Sequence, residues 1–487
     1  MSSQYPALIV AVPLMAAMLA PLVAMRSVRW MRFMCIAVLT AVLGFAVAIL
    51  VEALAVGPIH YHFGDWTPPW GIEFAIDALS GLMAVLVSFF ALLTVFGVER
   101  ETTQMSGLRA GAFHGLYLLL VTGLIGISIT GDLFNLYVFL EISALSGYAL
   151  VANGGDKARV AAFRYLIIGS VAATFWVLGL GYLYAATGTL NMADMSTLLP
   201  QLHASRAVVC GLAFIFAGMA IKMALFPLHG WQPDAYTYSP PSVIPFISSV
   251  MSKVSAYVLI RVLYTVFAAR GPAEPVLSFL GWMAAFTVVA GSVMALAQRD
   301  IRRMLAYSSV AQIGYVALGM GLGGMIAMTG AILHIINHAV MKGCLFMCVA
   351  GIRARTGKTD IPDFAGLAKS MPWTCAAFTT AAISMIGLPP TCGFFSKLYL
   401  ATGAVKAQAW PFVAALVISS LLNTVYFFRV IEQFYLFKPV GDQPKEEAPA
   451  AYRIPSLILA TLVIAIGLCN QQLVDAVITY ALPGAAW

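Results

Sequence analysis

One apolar segment, residues 325–350, carries three titratable side chains at a regular spacing. In the run LHIINHAVMKG they are His334, His338 and Lys342, each four residues after the last. On a helix this spacing places all three on one face, along roughly 12 Å at about 1.5 Å per residue. Histidine and lysine can each bind and release a proton, so this stripe predicts a proton path. We expect no bound metal, because no carboxylate or thiolate partner is evident.

Three further lysines lie inside apolar segments, although a charge at bilayer depth costs on the order of a few kcal/mol or more. Lys222 lies five residues before Pro227, and Lys397 lies seven residues after Pro390. Proline breaks a helix, and a broken helix within a membrane is tolerated where it lines protein or a hydrated cavity. Lys253 lies in the middle of its segment. Because lysine, unlike arginine, can give up its proton, we expect these three lysines to carry protons.

Glu141 is the acidic residue that lies deepest in an apolar segment, about ten residues into a predicted helix at 132–152. We interpret it as a protonatable or pairing carboxylate; a purely structural ion pair is the alternative. Asp132 precedes it by nine residues, or about 900° of helical rotation, so the two carboxylates point to opposite faces. Asp132 is therefore expected to cap the helix start and not to share a site with Glu141.

Other charged residues in apolar segments lie close to a segment end or to each other. Arg164 and Arg261 fall within several residues of an end, so we expect their side chains to reach the membrane interface. Arg429 and Glu432 are three residues apart and are expected to pair on one helix. Asp132, Arg164 and Glu432 therefore remain secondary candidates for the site.

The composition decides the class of protein. Of 487 residues, 61% are hydrophobic and 10% are charged, against about 45–50% and about 25% in soluble domains. This excludes a soluble enzyme, a nucleic-acid-binding protein and a disordered chain. Among seven cysteines no CxxC pair occurs, and Cys344 and Cys348 are expected to be small buried side chains. We expect no cofactor and find no catalytic chemistry in the chain itself, although it could be a subunit of a redox-driven translocase.

Apolar stretches of about 20 residues, the length that crosses a bilayer core of about 30 Å, predict 14 membrane spans. Their approximate ranges are 6–24, 31–55, 77–97, 112–129, 132–152, 161–186, 207–226, 243–267, 276–297, 303–320, 325–350, 373–403, 410–437 and 453–482. Loops after odd-numbered spans hold 17 lysines and arginines, and loops after even-numbered spans hold three. By the positive-inside rule, this predicts a multi-pass protein of the cell inner (cytoplasmic) membrane with both termini outside.

The two proline breaks indicate how the spans are organised. They fall in the seventh and twelfth spans, each the fourth of a block of five. Because five is odd, the second block must insert upside down, an arrangement typical of ion-coupled transporters. The predicted fold is thus an all-α polytopic membrane protein of about 14 transmembrane helices, with two inverted five-helix repeats that each contain a broken helix. The predicted divisions are three N-terminal helices at 1–110, the repeats at 111–270 and 271–438, and a loop with the last helix at 439–487.

Six stretches of the sequence resemble the antiporter-like membrane subunits shared by respiratory complex I, Mrp cation/proton antiporters and membrane-bound hydrogenases. They are GDLFNLYVFLEISALSGYALVA (131–152), KMALFPLHGWQPDAY (222–236), SSVMSKVSAYVLIR (248–261), RDIRRMLAYSSVAQIGY (299–315), HIINHAVMKGCLF (334–346) and ISMIGLPPTCGFFSKLYL (383–400). DLFNLYVFLE and YAATGTLNMADMS (184–196) are most similar to the D-type component of Mrp antiporters and its hydrogenase relatives. Gln232 and Tyr236 depart from the family's usual leucine and frequent histidine.

The resemblance implies a role for each matching position. Glu141 and Lys222 would form the family's coupled carboxylate–lysine pair, and Lys253 would be the lysine of the following span. His334 and its neighbour His338 would be the histidines of the eleventh span. Lys397 would be the group nearest the exit path, a position that holds glutamate in some members.

We expect a proton-translocating subunit of an Mrp-type sodium/proton antiporter, in which protons move along buried Glu, Lys and His side chains. The alternative is an ion-pumping subunit of a redox-driven complex, such as a complex I-like NADH:quinone oxidoreductase, a membrane-bound hydrogenase or a formate-linked complex. Either function implies other integral membrane subunits as partners in a lipid bilayer, with protons and, for the antiporter, Na⁺ as transported ions, and no nucleic acid. A solute carrier or a passive scaffold is disfavoured, because the buried groups form a titratable chain and are costly in a passive role.

Overall fold

The computed structural model describes residues 4–103, 105–439 and 446–483, which form helices and one two-stranded hairpin. The strands are β1 (Ile59–His62) and β2 (Glu73–Ile76). The helices are α1 (Tyr5–Arg26), α2 (Val28–Val56), α3 (Ala78–Thr102), α4 (Gly107–Ile129), α5 (Leu133–Ala152), α6 (Asp156–Thr187), α7 (Met192–Leu198), α8 (Arg206–Met223), α9 (Trp231–Tyr238), α10 (Ile244–Ile260), α11 (Ala273–Leu296), α12 (Ile301–Leu322), α13 (Met325–Thr356), α14 (Pro372–Ile386), α15 (Cys392–Lys406), α16 (Trp410–Tyr435), α17 (Ala450–Leu468), α18 (Asn470–Leu473) and α19 (Thr479–Ala481).

Thirteen helices in the described residues are long and apolar enough to cross a membrane. Each of them coincides with a predicted span. The remaining predicted span, 373–403, is the pair of shorter helices α14 and α15, separated at 387–391. Counting that pair as one crossing gives the 14 passes that the sequence predicts, and the predicted helical membrane fold is confirmed.

Both proline-containing segments interrupt their helices as predicted. α8 ends at Met223, and residues 224–230, which include Pro227, separate it from α9. α14 ends at Ile386, where Gly387 adopts a φ of 95°. Glycine suits this position, because a positive φ costs it no steric strain. A helix that ends in this way leaves backbone carbonyl groups without helical partners, so that a side chain can bind them.

α13 is enclosed by other helices over its whole apolar window. It packs against α12, α14, α15 and α17. Gly330 allows the close approach of α15, because a Cβ atom there would lie 2.9 Å from the backbone nitrogen of Leu400. The titratable stripe on α13 is therefore surrounded by protein and does not face lipid.

The last span is shorter than predicted. α17 ends at Leu468, and Cys469, with φ −97° and ψ 22°, leaves the helical conformation. The predicted range 453–482 is therefore one continuous helix only in its first part. Of the predicted loop at 439–452, residues 440–445, including Lys445, lie outside the described part of the chain.

Two loops contain short elements that the sequence pattern does not predict. In the loop at 56–76, β1 and β2 pair antiparallel, with Ile59 opposite Ile76 and His62 opposite Glu73. In the loop at 187–206, α7 begins after Asn191, whose side chain caps the helix. These elements give order to segments outside the spans.

The chain divides into two compact units. The first unit comprises Met1–Met223, Val254–Ser278 and Ala476–Trp487, and the second comprises Ala224–Lys253 and Phe279–Asp475. In the first, α4 packs against α1, α3 and α5, and α6 packs against α5 and α8. In the second, α13 is central, and α16 packs against α12, α14 and α15. The fourfold division drawn from the sequence stays a prediction.

Candidate functional site

In the first unit, Glu141 and Lys222 lie within electrostatic reach of each other. Glu141 is near the middle of α5, and Lys222 is one residue before the end of α8. Both side chains are partly buried. A carboxylate and an ammonium group at this depth stabilise each other's charged forms. The structure thus brings together the two residues of the predicted pair, while their role in transport stays a prediction.

Asp132 and Arg164 also belong to the first unit. Asp132 is the N-cap of α5, and its Oδ1 atom accepts a hydrogen bond from the backbone N–H of Asn135 at 2.6 Å. This agrees with the capping interpretation. Arg164 is exposed on α6, as expected for a side chain that extends from the helix surface.

In the second unit, Lys253 on α10 and Lys342 on α13 are both fully buried. The Nζ atom of Lys253 donates to the carbonyl of Ser248, and that of Lys342 donates to the carbonyl of Leu305 at 2.9 Å. The two lysines also interact electrostatically. Because two like charges repel strongly in a buried setting, a proton on one lysine disfavours a proton on the other. This is the behaviour that a proton relay needs.

His334 and His338 stack one helical turn apart on α13, with ring centroids 5.9 Å apart. His334 has a partner on each side of its ring: Nδ1 lies 2.9 Å from Oγ of Ser396, and Nε2 lies 3.0 Å from Oε1 of Gln312. Both ring nitrogens of His338 are buried without a hydrogen-bond partner among the residues that the structure describes. A water molecule or a transferred proton would complete the bonding of His338.

Lys397 on α15 reaches back across the break between α14 and α15. Its Nζ atom donates to the carbonyls of Met385 and Ile386, the last two residues of α14, at 2.7 and 3.0 Å. It also lies 5.0 Å from the centre of the Tyr315 ring, a cation–π contact. The unpaired carbonyls at the end of a helix attract a positive charge, so the break itself holds this lysine.

The basic residues of the second unit form one interacting set. His334 interacts electrostatically with Lys253 and Lys397. His338 interacts with Lys253 and Lys342. Charges about 6–8 Å apart couple by roughly 2–3 kcal/mol at an effective dielectric constant of about 20. A change of protonation at one member of the set therefore changes the cost of a proton at the next.

Neutral polar residues complete this set, and the sequence interpretation missed them. Gln312 and Tyr315 lie three residues apart on α12, and Ser396 immediately precedes Lys397 on α15. The three side chains are fully buried. Their spacing in a conspicuously polar run, SSVAQIGY, is the one signal that could have indicated them. That signal is weak, because hydroxyl and amide groups in spans commonly bond to their own helix.

The expectation that Arg261 reaches the membrane interface is wrong. This residue lies in the π-helical turn that extends α10, and its side chain is buried. Two of its guanidinium nitrogens bond to the carboxylate of Asp77 at the start of α3. The acidic partner comes from a distant span, which makes burial of the charge tolerable.

The expected pairing of Arg429 with Glu432 is also wrong. The Arg429 guanidinium donates to the carbonyl of Leu296 at 3.0 Å and to the carbonyl of Gln298. In the described part of the chain Glu432 is exposed and makes no ion pair with this arginine. The end of α11 supplies free carbonyl groups, which are ready acceptors for a guanidinium.

Outside the spans, Glu73 of β2 is buried and binds three side chains. Its Oε2 atom lies 3.2 Å from Nδ1 of His60 and 3.3 Å from Nε2 of His62, and its Oε1 atom accepts from Nδ2 of Asn191 at 2.6 Å. Burial alone raises the pKa of Glu73, but the hydrogen bonds from His60 and Asn191 outweigh it and lower that pKa below the usual value. The hydrogen bond to Glu73 in turn raises the pKa of His60.

Within residues 4–103, 105–439 and 446–483, no group of three or more His, Cys, Asp or Glu side chains is placed to hold a metal ion. The cysteines there are free, and Cys344 and Cys348 are buried on α13. They act as small apolar side chains in the packing of that helix.

Residues 130–423 match the family model described as NADH:quinone oxidoreductase/Mrp antiporter, TM. A relative from Desulforudis audaxviator, the N-type component of an NADH-quinone oxidoreductase, is 51% identical over 99% of this chain and 99% of its own length. A relative from Alkalihalophilus pseudofirmus, the D-type component of a Na(+)/H(+) antiporter, is 30% identical over 85% of this chain and 83% of its own length.

Solved structures give the same picture. A chain of the membrane-bound sulfane sulfur reductase, an archaeal respiratory membrane complex, superposes with a TM-score of 0.92 at 32% identity, covering 99% of this chain and 98% of its own. A chain of the Mrp complex from Dietzia sp. DQ12-45-1b superposes with a TM-score of 0.89 at 27% identity, covering 98% and 97%. A chain of respiratory complex I from Thermus thermophilus shares the fold, with a TM-score of 0.76 at 23% identity and coverage of 97% and 98%.

Proposed function

Because this chain belongs to the family of NADH:quinone oxidoreductase and Mrp antiporter transmembrane subunits, we propose that it is a proton-translocating subunit of a multisubunit membrane complex. One observation carries the proposal: the second unit holds an interacting row of buried basic side chains, from Lys253 to Lys397. Titratable groups at bilayer depth are costly, and a row of them is a feature of ion paths.

We propose that redox chemistry in partner subunits drives this translocation. The relative from the NADH-quinone oxidoreductase supports this choice, since it is 51% identical over 99% of both chains. The similarity to a chain of a respiratory sulfane sulfur reductase, at a TM-score of 0.92, also supports it. In such a complex the partner subunits would carry the electrons, and this chain would carry the protons.

An Mrp-type sodium/proton antiporter subunit is the second candidate. The relative from the Na(+)/H(+) antiporter, at 30% identity, and the chain of the Mrp complex, at a TM-score of 0.89, favour it. A sodium gradient would then replace the redox reaction as the energy source, with the same proton path. In either case we place the chain in the cell inner membrane with both termini outside, from the distribution of basic loop residues.

In the proposed mechanism, Glu141 stabilises the protonated form of Lys222 by charge attraction. When the two side chains separate, Lys222 holds an uncompensated charge at bilayer depth and gives up its proton. In the second unit, protons move between Lys253, the stripe on α13 and Lys397. Repulsion between neighbouring protonated groups moves each proton onward.

The energy source can be identified by isolating the chain from its native membrane in mild detergent and determining the accompanying proteins by mass spectrometry. We expect iron–sulfur or other redox proteins to co-purify. Accompaniment by small integral membrane proteins alone would favour the antiporter. A chain that purifies without partners and is fully active would contradict both candidates.

Proton translocation itself is tested with Glu141→Gln and Lys222→Ala variants of the complex in sealed vesicles. Each variant should assemble and lose proton translocation, because the charge pair can no longer form. Glu52→Gln, which changes a carboxylate near the end of α2, and Lys406→Ala, which changes an exposed lysine at the end of α15, are the matched controls. Wild-type proton rates in either test variant would overturn the mechanism.

A further inference from the structure

His334 lies between two hydrogen-bonding side chains that can each adopt two settings. Ser396 Oγ lies 2.9 Å from Nδ1 of the ring and 3.3 Å from the carbonyl oxygen of Gly393, so its hydrogen can point to either. Gln312 places Oε1 3.0 Å from Nε2 of the ring, while its own Nε2 is buried without a partner in the described residues. A buried amide donor left unpaired is costly, so this arrangement calls for a physical reason.

The distances fit a neutral ring whose proton is on Nε2. In that form Nε2–H of His334 donates to Oε1 of Gln312, and the hydroxyl of Ser396 donates to Nδ1. If the hydroxyl turns to the carbonyl of Gly393, its oxygen can instead accept a hydrogen bond from Nδ1–H. The ring can then bind a second proton at Nδ1, because both of its N–H groups have acceptors.

Loss of the proton at Nε2 produces the other neutral form, with the proton on Nδ1. Oε1 of Gln312 then faces the lone pair on Nε2, which is unfavourable. Reversal of the Gln312 amide removes this conflict, because its NH₂ group, unpaired in the present setting, can donate to Nε2. The unpaired amide nitrogen thus has a use in a second state of the same site.

We propose that Ser396 and Gln312 are positioning residues that let His334 pass a proton across its ring. One N–H bond forms at Nδ1 and one N–H bond breaks at Nε2, so one proton enters and one leaves. Rotation of the Ser396 hydroxyl admits the proton, and reversal of the Gln312 amide accompanies its release. The reverse order moves a proton in the opposite direction.

The surroundings of the ring suit this step, which rests on the proposed function. The charged groups that face His334 are Lys397 of α15 and Lys253 of α10. His338 stacks on the ring from the same helix, and the Tyr315 ring lies 5.4 Å away on α12. Lysines on either side can deliver a proton and accept it, while the hydroxyl and the amide decide which nitrogen of the ring is free.

The experiment uses the whole complex in sealed vesicles, with proton translocation measured in H₂O and in D₂O. Ser396→Ala removes the rotating hydroxyl, and Gln312→Leu removes the amide. Gln312→Glu has nearly the same size but can only accept, which serves if the leucine variant fails to assemble. Each should slow translocation roughly tenfold or more and enlarge the solvent isotope effect, because transfer through the ring becomes rate-limiting.

Two further variants separate this role from simple packing. Ser396→Thr keeps the hydroxyl and should restore most of the rate. Ser309→Ala removes another fully buried serine hydroxyl, which bonds to the carbonyl of Leu305 on its own helix at 2.9 Å. This control should behave like the wild type.

Wild-type rates and an unchanged isotope effect in the Ser396→Ala and Gln312→Glu variants would overturn the proposal. So would slow transport with an unchanged isotope effect that Ser396→Thr does not restore, since that pattern indicates packing alone. Failure of the proposed function gives a different result: the wild-type complex moves no protons, or Glu141→Gln transports normally, whatever happens at Ser396.

Discussion

Arg261 and Asp77 form a buried ion pair although 184 residues separate them in the chain. One guanidinium N–H donates to Oδ2 of Asp77 at 2.7 Å, and a second nitrogen bonds to Oδ1. Nε of Arg261 also donates to the hydroxyl of Tyr257 at 2.9 Å, and Tyr257 donates to the carbonyl of Ser128 at 2.6 Å. Within the first unit this network joins the start of α3, the end of α4 and the turn that extends α10.

Removal of one partner of this pair should destabilise the protein. Arg261→Leu leaves the Asp77 carboxylate buried without its counter-charge, which costs about 3–5 kcal/mol. We expect a clear drop in the thermal unfolding temperature of the detergent-solubilised protein. The double variant Asp77→Asn with Arg261→Gln should recover part of the loss, because no charge remains buried. An unchanged unfolding temperature in the single variant would show that the pair adds no stability.

The β1–β2 hairpin should depend on pH through His60 and Glu73. The lowered pKa of Glu73 contributes stability that is present above about pH 4.3, the usual value for glutamate, and is lost as pH falls through the folded-state pKa. The raised pKa of His60 contributes stability that is fully present below about pH 6.5 and is lost as pH rises through its folded-state pKa. The hairpin should therefore be held best between these two values.

Amide hydrogen exchange measured across this pH range, corrected for intrinsic rates, checks the prediction. Protection of the hairpin amides should decrease as the medium becomes alkaline. His60→Gln can still bond to Glu73 but does not titrate, so it should lose most of this dependence, while His203→Gln should keep it. Equal pH dependence in the wild type and the His60→Gln variant would contradict the assignment.

Lys397→Arg should block proton translocation without removing the positive charge. Arginine can reach the carbonyls of Met385 and Ile386 but does not release its proton in a protein. We expect a loss of roughly a hundredfold or more in proton flux, with normal assembly of the complex. Lys406→Arg on the same helix is the matched control. Normal flux in Lys397→Arg would show that Lys397 holds its proton permanently.

Gly467→Ala should disturb the break between α14 and α15. A Cβ atom at Gly467 would lie 2.0 Å from the carbonyl oxygen of Pro390, a backbone atom that cannot turn aside like a flexible side chain. Overpacking of this kind costs about 1–3 kcal/mol, and we expect thermal unfolding at a lower temperature. Gly181→Ala on α6 is the control, because no atom lies within 4 Å of its added Cβ. Equal unfolding temperatures for the two variants would contradict close packing at the break.

The spans and both breaks could be predicted, because the bilayer imposes a length on each helix and proline cannot continue one. The stripe on α13 followed from helical spacing alone. The partners of Arg261 and Arg429 could not be predicted, because they come from distant parts of the chain. Ser396 and Gln312 were missed since a neutral polar residue in a span usually serves packing. The hairpin was missed because Glu73 depends on Asn191, which lies 118 residues away.

The carbonyl groups that hold Lys397 belong to the backbone, so this binding site does not depend on which side chains stand at 385 and 386. It depends on the residue at which α14 stops, which Gly387 and the following prolines determine. Apolar residues could replace one another at 385 and 386 without consequence. A substitution that let the helix run on for one more turn would remove the site without changing any residue that contacts the lysine. A position of this kind is encoded as an interruption, and an inventory of polar side chains does not reveal it.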